Sequence, residues 1–235
     1  MKELEKSYQV LMTSLVTALE GRDHQARGHA RRVVVYSQAI ADRLGLSTEE
    51  RRNLAFGAYL HDVGKLGIDD ALLQKPASLS EAEWEEMRRH PTIGVLILQG
   101  AEFLLQGALD VILYHHERYD GRGYPLGLVG EEIPLLTRVF TVADAFDAMT
   151  AKRSYRGALT IEEALGVIRE EVGRQFCPRC AETFLSFSPE ELVFFRRLAE
   201  DDHCGHVAKS SSFFLEDLLA KLRLKPTRTT VAKLR

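Results

Sequence analysis

Four segments of this 235-residue chain open on a Ser or Thr with a Glu three positions later: Ser47 with Glu50, Ser80 with Glu83, Thr160 with Glu163, and Ser188 with Glu191. In that spacing the hydroxyl accepts from the backbone N–H three residues on while the carboxylate reaches back to the cap N–H, so each pair marks a helix start. Pro189 follows Ser188 at the position where a missing N–H costs nothing. Alternating strand patterns bounded by turn residues are almost absent. The expected fold is all-α.

Upstream, Leu4, Tyr8, Leu11, Leu15 and Leu19 recur at spacings of three and four, predicting an amphipathic helix that Gly21 is placed to end. The next helix carries His29, Val33, Tyr36 and Ile40 on one face, with Gly45 as its cap, and the helix from Ser47 runs to His61. From Asp120 to Pro134 an Asp-Gly step, three further glycines and two prolines predict a long exposed loop. The expected organisation is an N-terminal helix over 1–20, one domain over 21–200 and an appended tail over 201–235. The first helix is expected to start so early that no sensory domain fits within this chain, so control is expected either through a partner or from a longer protein of which this is a piece.

A formal net charge of -3 provides no bulk attraction to DNA or to an anionic membrane, so any phosphate recognition has to come from local Arg or Lys clusters. No apolar run approaches the roughly 20 residues that span a bilayer, and the start MKELEKSYQV lacks a signal-peptide core, which predicts a cytoplasmic chain. Three cysteines, Cys177, Cys180 and Cys204, are an odd number and too few for a disulfide framework. Cys177-x2-Cys180 together with His203, Cys204 and His206 offers zinc-like ligands outside the main pattern, and a reading as ordinary residues stays open beside it.

The polar residues that interrupt apolar helical segments are His29, His61-Asp62, His90, His115-His116 and Asp144. A lone histidine such as His29 is usually a satisfied core or surface residue. The His61-Asp62 pair is harder to dismiss, and on a continuous helix its members would point about 100° apart. Ala58 and Gly64 leave room for a close approach there. Asp144 sits among apolar neighbours and needs a buried partner. Imidazole and carboxylate together suit iron, manganese or zinc, and seven ligands are too many for one ion, so two divalent metals are expected.

His61-Asp62-Val63-Gly64-Lys65 resembles the signature of HD-superfamily metal-dependent phosphohydrolases, and His115-His116-Glu117-Arg118-Tyr119-Asp120-Gly121-Arg122-Gly123-Tyr124-Pro125 resembles the extended HHExxDGxGYP motif of the HD-GYP family. The resemblance implies a helical HD-domain bundle with a long GYP loop. It also implies that Asp62 bridges two metals, iron or manganese being favoured, with His29, His61 and Asp144 completing one site and His90, His115 and His116 the other. The implied activity is hydrolysis of cyclic di-GMP to linear pGpG, by attack of a hydroxide held between the metals, with further cleavage to GMP left open. Lys65 would stabilise the phosphate or protonate the departing ribose oxygen, and Arg153 and Arg156 would bind substrate phosphates. Gly123, Tyr124 and Pro125 would form a loop contacting a diguanylate cyclase-type partner. Some similar proteins hold a third metal through a glutamate, and Gln25 stands at that position here, so two ions are expected. Oligomeric state is left open, a dimer being one option. The alternatives are a regulatory module that responds to cyclic di-GMP or recruits partners without turnover, and an HD phosphohydrolase for another nucleotide.

Overall fold

The computed structural model describes residues 2–23, 28–101, 106–151 and 157–200, with side chains from residue 10 onward. Those residues form the helices α1 (Lys2–Arg22), α2 (His29–Arg43), α3 (Thr48–Leu60), α4 (Asp70–Leu73), α5 (Glu81–Met87), α6 (His90–Ile97), α7 (Gln106–Tyr114), α8 (Leu135–Thr150), α9 (Ile161–Glu170), α10 (Pro178–Leu185) and α11 (Pro189–Glu200). Short 3-10 turns cover Val63–Gly67 and Gly130–Glu132. Among the described residues there is no strand, only the isolated bridges Asp120–Val129 and Val172–Phe176. The fold is all-α, as the capping pattern predicts.

All four capping pairs close reciprocally. Ser47, Ser80 and Thr160 each accept from the N3 amide and receive the Glu carboxylate on their own N–H, and Ser188 and Glu191 exchange the same two bonds. Gly45 adopts φ +72° just past α2, the left-handed conformation that suits glycine after a helix. Two details of α1 differ from the sequence expectation. The helix runs through Gly21 to Arg22, because one glycine weakens a helix without stopping it. Its buried stripe is Met12, Val16 and Leu19, while Leu11 faces solvent. Both stripes obey helical spacing, and packing against α3 and α7 selects between them.

The core has two parts. In the larger, Tyr36, Phe140, Phe146 and Phe184 are almost wholly buried where α2, α3 and α8 meet α9, α10 and α11. A smaller cluster joins Met12 and Val16 of α1 to Phe56 and Leu60 of α3 and Ile112 of α7. Each fully buried large side chain contributes about 1.5–3 kcal/mol. Arg22, at the end of α1, donates to the carbonyls of Leu66 and Ile68 and to the Asp70 carboxylate, which pins α1 to the turn carrying Lys65.

That turn lies against α6 with no side chain between them. A Cβ on Gly64 would run into the carbonyl oxygen of His90 and lie 2.5 Å from the amide of Gly94. At Gly166, within α9, an added Cβ would meet nothing within 4 Å. Gly64→Ala is expected to lower unfolding free energy by about 1–3 kcal/mol through overpacking. Gly166→Ala is expected to raise it by about 0.5–1 kcal/mol by removing backbone freedom from the unfolded chain. Urea unfolding of the two variants checks both signs.

Candidate metal centre

α3 stops at Leu60, leaving His61 as its C-cap and Asp62 at φ −92°, ψ 2° before the 3-10 turn. The helix thus ends at His61, where the sequence reading places its end, and the His61-Asp62 pair does not ride on a continuous helix. The break frees Asp62 from helical geometry, so both side chains can turn to one point. His90 enters from the first residue of α6, His115 and His116 from just beyond α7, His29 from the start of α2 and Asp144 from the middle of α8.

Three of these rings are oriented by the same local device. Nδ1 of His61 donates to Ala58 O, that of His90 to Met87 O and that of His115 to Ile112 O, each at 2.8 Å and each to the residue three positions earlier. A carbonyl can only accept, so Nδ1 carries the proton and Nε2 is left as a lone pair. His29 is held differently: Nδ1 meets Asp147 Oδ2 at 2.7 Å and Nε2 meets Asp144 Oδ1 at 3.1 Å. Asp147 is fully buried and also accepts from Arg32 Nε at 2.7 Å and Nη2 at 3.0 Å.

The consequence is sharpest between His90 and His115, whose Nε2 atoms stand 3.0 Å apart. With both Nδ1 protons committed to carbonyls, two lone pairs face each other across that gap. Protonating a ring would relieve the repulsion, but burial opposes it. Burial and then the neighbouring rings hold His115 well below the usual histidine range, and burial dominates in bringing His90 down to about 4 and His116 to about 3. A divalent cation would resolve the conflict, since imidazole nitrogen suits mid-row metals.

The donors fall into two groups, His90 with His115 and His116, and His29 with His61 and Asp144, the ligand atoms of each lying within 4.8 Å of one another. Asp62 spans them: Oδ2 lies 3.3 Å from His61 Nε2 and Oδ1 lies 3.5 Å from His90 Nε2. Lys65 Nζ is 2.7 Å from Asp62 Oδ2 and 3.7 Å from Asp23 Oδ2. Burial disfavours the Asp62 carboxylate, but the Lys65 ammonium beside it outweighs that and holds Asp62 well below the usual carboxylate range. In the same way burial opposes charge on His29, and its bonds to Asp144 and Asp147 overcome it, raising the ring to about 10.

A cleft of about 330 Å³ opens over His115, His116 and Asp144 and is edged by Arg88, Arg122 and Trp84. Tyr124 stacks on His116, with ring centroids 4.6 Å apart. The segment predicted as an exposed excursion is in fact anchored by Glu117. Its carboxylate, 2 % exposed, accepts the N–H groups of Leu126, Gly127 and Leu128 at 2.7, 3.1 and 3.0 Å. Gly123 packs so tightly that a Cβ would strike the backbone of His116, Glu117 and Arg118. Arg153, Arg156, Gln25, His203, Cys204 and His206 lie outside the described residues. Sequence reasoning missed Asp147, Arg32, Glu117, Arg88, Arg122 and Trp84. Asp147 lies one turn after Asp144 in the sequence, and that spacing is the one signal that could have exposed it.

The model of the HD domain family matches residues 14–179. The chain belongs to the HD domain family. Its His115–Pro125 segment puts it in the HD-GYP branch. Among its relatives, a cyclic di-GMP phosphodiesterase response regulator of Xanthomonas campestris is 44% identical over 187 residues, covering 79% of this chain and 49% of the relative. A 3'3'-cGAMP-specific phosphodiesterase of Vibrio cholerae is 37% identical over 186 residues, covering 79% of this chain and 36% of the relative. This HD domain thus spans about half or less of these curated relatives. In fold it is similar to a crystal structure of a cyclic GMP-AMP specific phosphodiesterase of V. cholerae, with a TM-score of 0.62 at 24% identity over 94% of this chain and 54% of that one. No helix among the described residues is long and apolar enough to cross a membrane.

Glu117→Gln keeps one acceptor oxygen and loses the charge that satisfies three amides. It is expected to weaken the loop by about 2 kcal/mol. Hydrogen exchange at Leu126, Gly127 and Leu128 is expected to accelerate while α8 amides stay protected, and unchanged exchange at those three would refute the anchoring role.

Proposed function

We propose that this chain is a metal-dependent phosphodiesterase that opens cyclic di-GMP to linear pGpG. The observation that carries the reading is the Asp62 carboxylate straddling two donor groups whose His115, His116 and Asp144 line an arginine-edged cleft. His29, His61, Asp144 and Asp62 would hold one divalent metal, and His90, His115, His116 and Asp62 a second, iron or manganese being favoured on the HD-GYP resemblance. When bound, such a pair supplies Lewis-acid activation of water and neutralises charge on the phosphate oxygens.

The remaining work falls to side chains. Lys65 is buried, which lowers its pKa, but the charges of Asp62 and Asp23 raise it more, so it carries a proton at neutral pH. Released from Asp62, its Nζ can pass that proton to the departing ribose oxygen. Arg88 and Arg122 edge the cleft and suit phosphate oxygens, while Trp84, 42% exposed, offers a flat face to a base. Arg153 and Arg156 are assigned to the same phosphates on the HD-GYP resemblance. Glu117 keeps the loop closed over one side of the centre.

The name of the Vibrio relative supports a second substrate reading, 3'3'-cGAMP, which has the same pair of phosphodiesters. The partner-contact role of the GYP loop draws support from Leu126 and Val129, 64% and 54% exposed, rather than from Tyr124.

Anaerobic incubation of manganese- or iron-loaded chain with each dinucleotide, followed by chromatography, tests the activity. Linear pGpG from cyclic di-GMP is expected, and no linear product under either metal would sink the proposal. Asp62→Ala is expected to lower metal affinity by at least ~100-fold and to abolish turnover. Near wild-type metal content would remove the bridging role.

The pKa pattern gives a second check. His29, raised to about 10, holds a proton at pH 7 that a cation must displace, whereas His90 and His116, lowered to about 4 and about 3, are already neutral. Manganese binding at pH 7 is therefore expected to release about one proton per chain, seen by calorimetry in buffers of different ionisation enthalpy. Affinity at the His29 site should rise with pH toward 10 while the other site stays level. Buffer-independent heats would contradict the assignment.

A further inference from the structure

Cys177 and Cys180 stand apart from the cleft, in the core between α8 and α10. Cys177 is the N-cap of α10, and Pro178 starts the helix immediately after it. The positive end of the helix dipole therefore lies beside it, though its sulfur takes no bond from the first amides. From α8, Arg138 brings Nη1 to 3.6 Å from Cys177 Sγ. The Arg138 side chain is 12% exposed and its Nε is buried without a hydrogen-bond partner. Glu131, 3.4 Å from the same Nη1, is 83% exposed and anchors that charge poorly. A guanidinium so enclosed requires an anion, and the Cys177 sulfur is in position to be one. The neighbouring Cys180 and the Arg138 guanidinium outweigh burial and bring Cys177 down to about 5. Cys177 and burial push Cys180 the other way, so it keeps its proton.

We propose that Cys177 and Cys180 form a redox dithiol, a thiolate and its resolving thiol one helical turn apart, which a small peroxide converts to an intramolecular disulfide. In an ideal turn, residues three apart have Cα atoms about 5 Å from each other, within disulfide range. Cys177 is 3% exposed, which favours a peroxide over a protein disulfide as the oxidant. Cys177 Sγ attacks one peroxide oxygen, the O–O bond breaks and hydroxide leaves, giving a sulfenic acid. The Cys180 sulfur then attacks Cys177 Sγ, the S–O bond breaks, and the hydroxyl departs as water with the Cys180 proton. Two electrons pass from the sulfur pair to the peroxide, and a thiol reductant reverses the change. Oxidation removes the negative charge facing Arg138, leaving that cation, on the helix that carries Asp144, with the exposed Glu131 as its counter-charge.

The full chain carrying Cys204→Ser is treated with dilute hydrogen peroxide, quenched with N-ethylmaleimide and digested for mass spectrometry. The expected product is a peptide lighter by about 2 Da that contains Cys177 and Cys180 and is restored by dithiothreitol. Adding Cys180→Ser should halt the reaction at a dimedone-trapped sulfenic acid on Cys177. Arg138→Met should slow oxidation of Cys177 about tenfold or more by removing its counter-charge. If that variant does not fold, the Cys180→Ser trap decides alone. Full alkylation of both cysteines after peroxide exposure that oxidises surface methionines would overturn the proposal. So would stoichiometric release of zinc from the pair, which would make it a metal clip.

Discussion

Three backbone carbonyls, those of Ala58, Met87 and Ile112, determine what the centre of this protein can be. Each takes the Nδ1 proton of a histidine three residues later and so commits Nε2 to be an acceptor. Because the carbonyls belong to the ends of helical turns, ring orientation follows from backbone geometry and needs no additional side chain. Once α3, α6 and α7 pack, three lone pairs must meet. The exception is His29, at the start of its helix, where Asp147 takes the part of the carbonyl at the expense of burying a carboxylate that Arg32 then neutralises.

Convergence also depends on what is missing from the sequence. Gly57 lies where a Cβ would come within 2.6 Å of Val111 Cβ, which lets α3 and α7 approach closely behind His61 and His115. Gly64 and Gly94 do the same for the turn and α6. Phe140 closes the inner side, its ring centroid 4.9 Å from that of His61. The centre therefore sits between two hydrophobic clusters whose packing holds the donor positions.

Much of this was legible in the sequence, and the limits are physical. Helix starts could be read because capping is local: a hydroxyl and a carboxylate three residues apart need nothing from the rest of the chain. The donors could be read because imidazole and carboxylate inside apolar segments are costly to bury unless something binds them. The buried face of α1 could not be chosen between Leu11 and Met12, since helical spacing permits both and a distant surface decides. Asp147 and Glu117 stayed hidden because their partners are 118 and about ten residues away, and an acidic residue on a helix or beside a loop ordinarily faces water.

The pairing of Asp62 with Lys65 has a consequence for the life history of the protein. Every carboxylate in the centre finds a cation within the chain itself: Lys65 for Asp62, His29 for Asp144 and Arg32 for Asp147. The charges of the buried acids are thus balanced within the chain, so its folding need not wait for an added cation, unlike that of small domains that cannot fold without their metal.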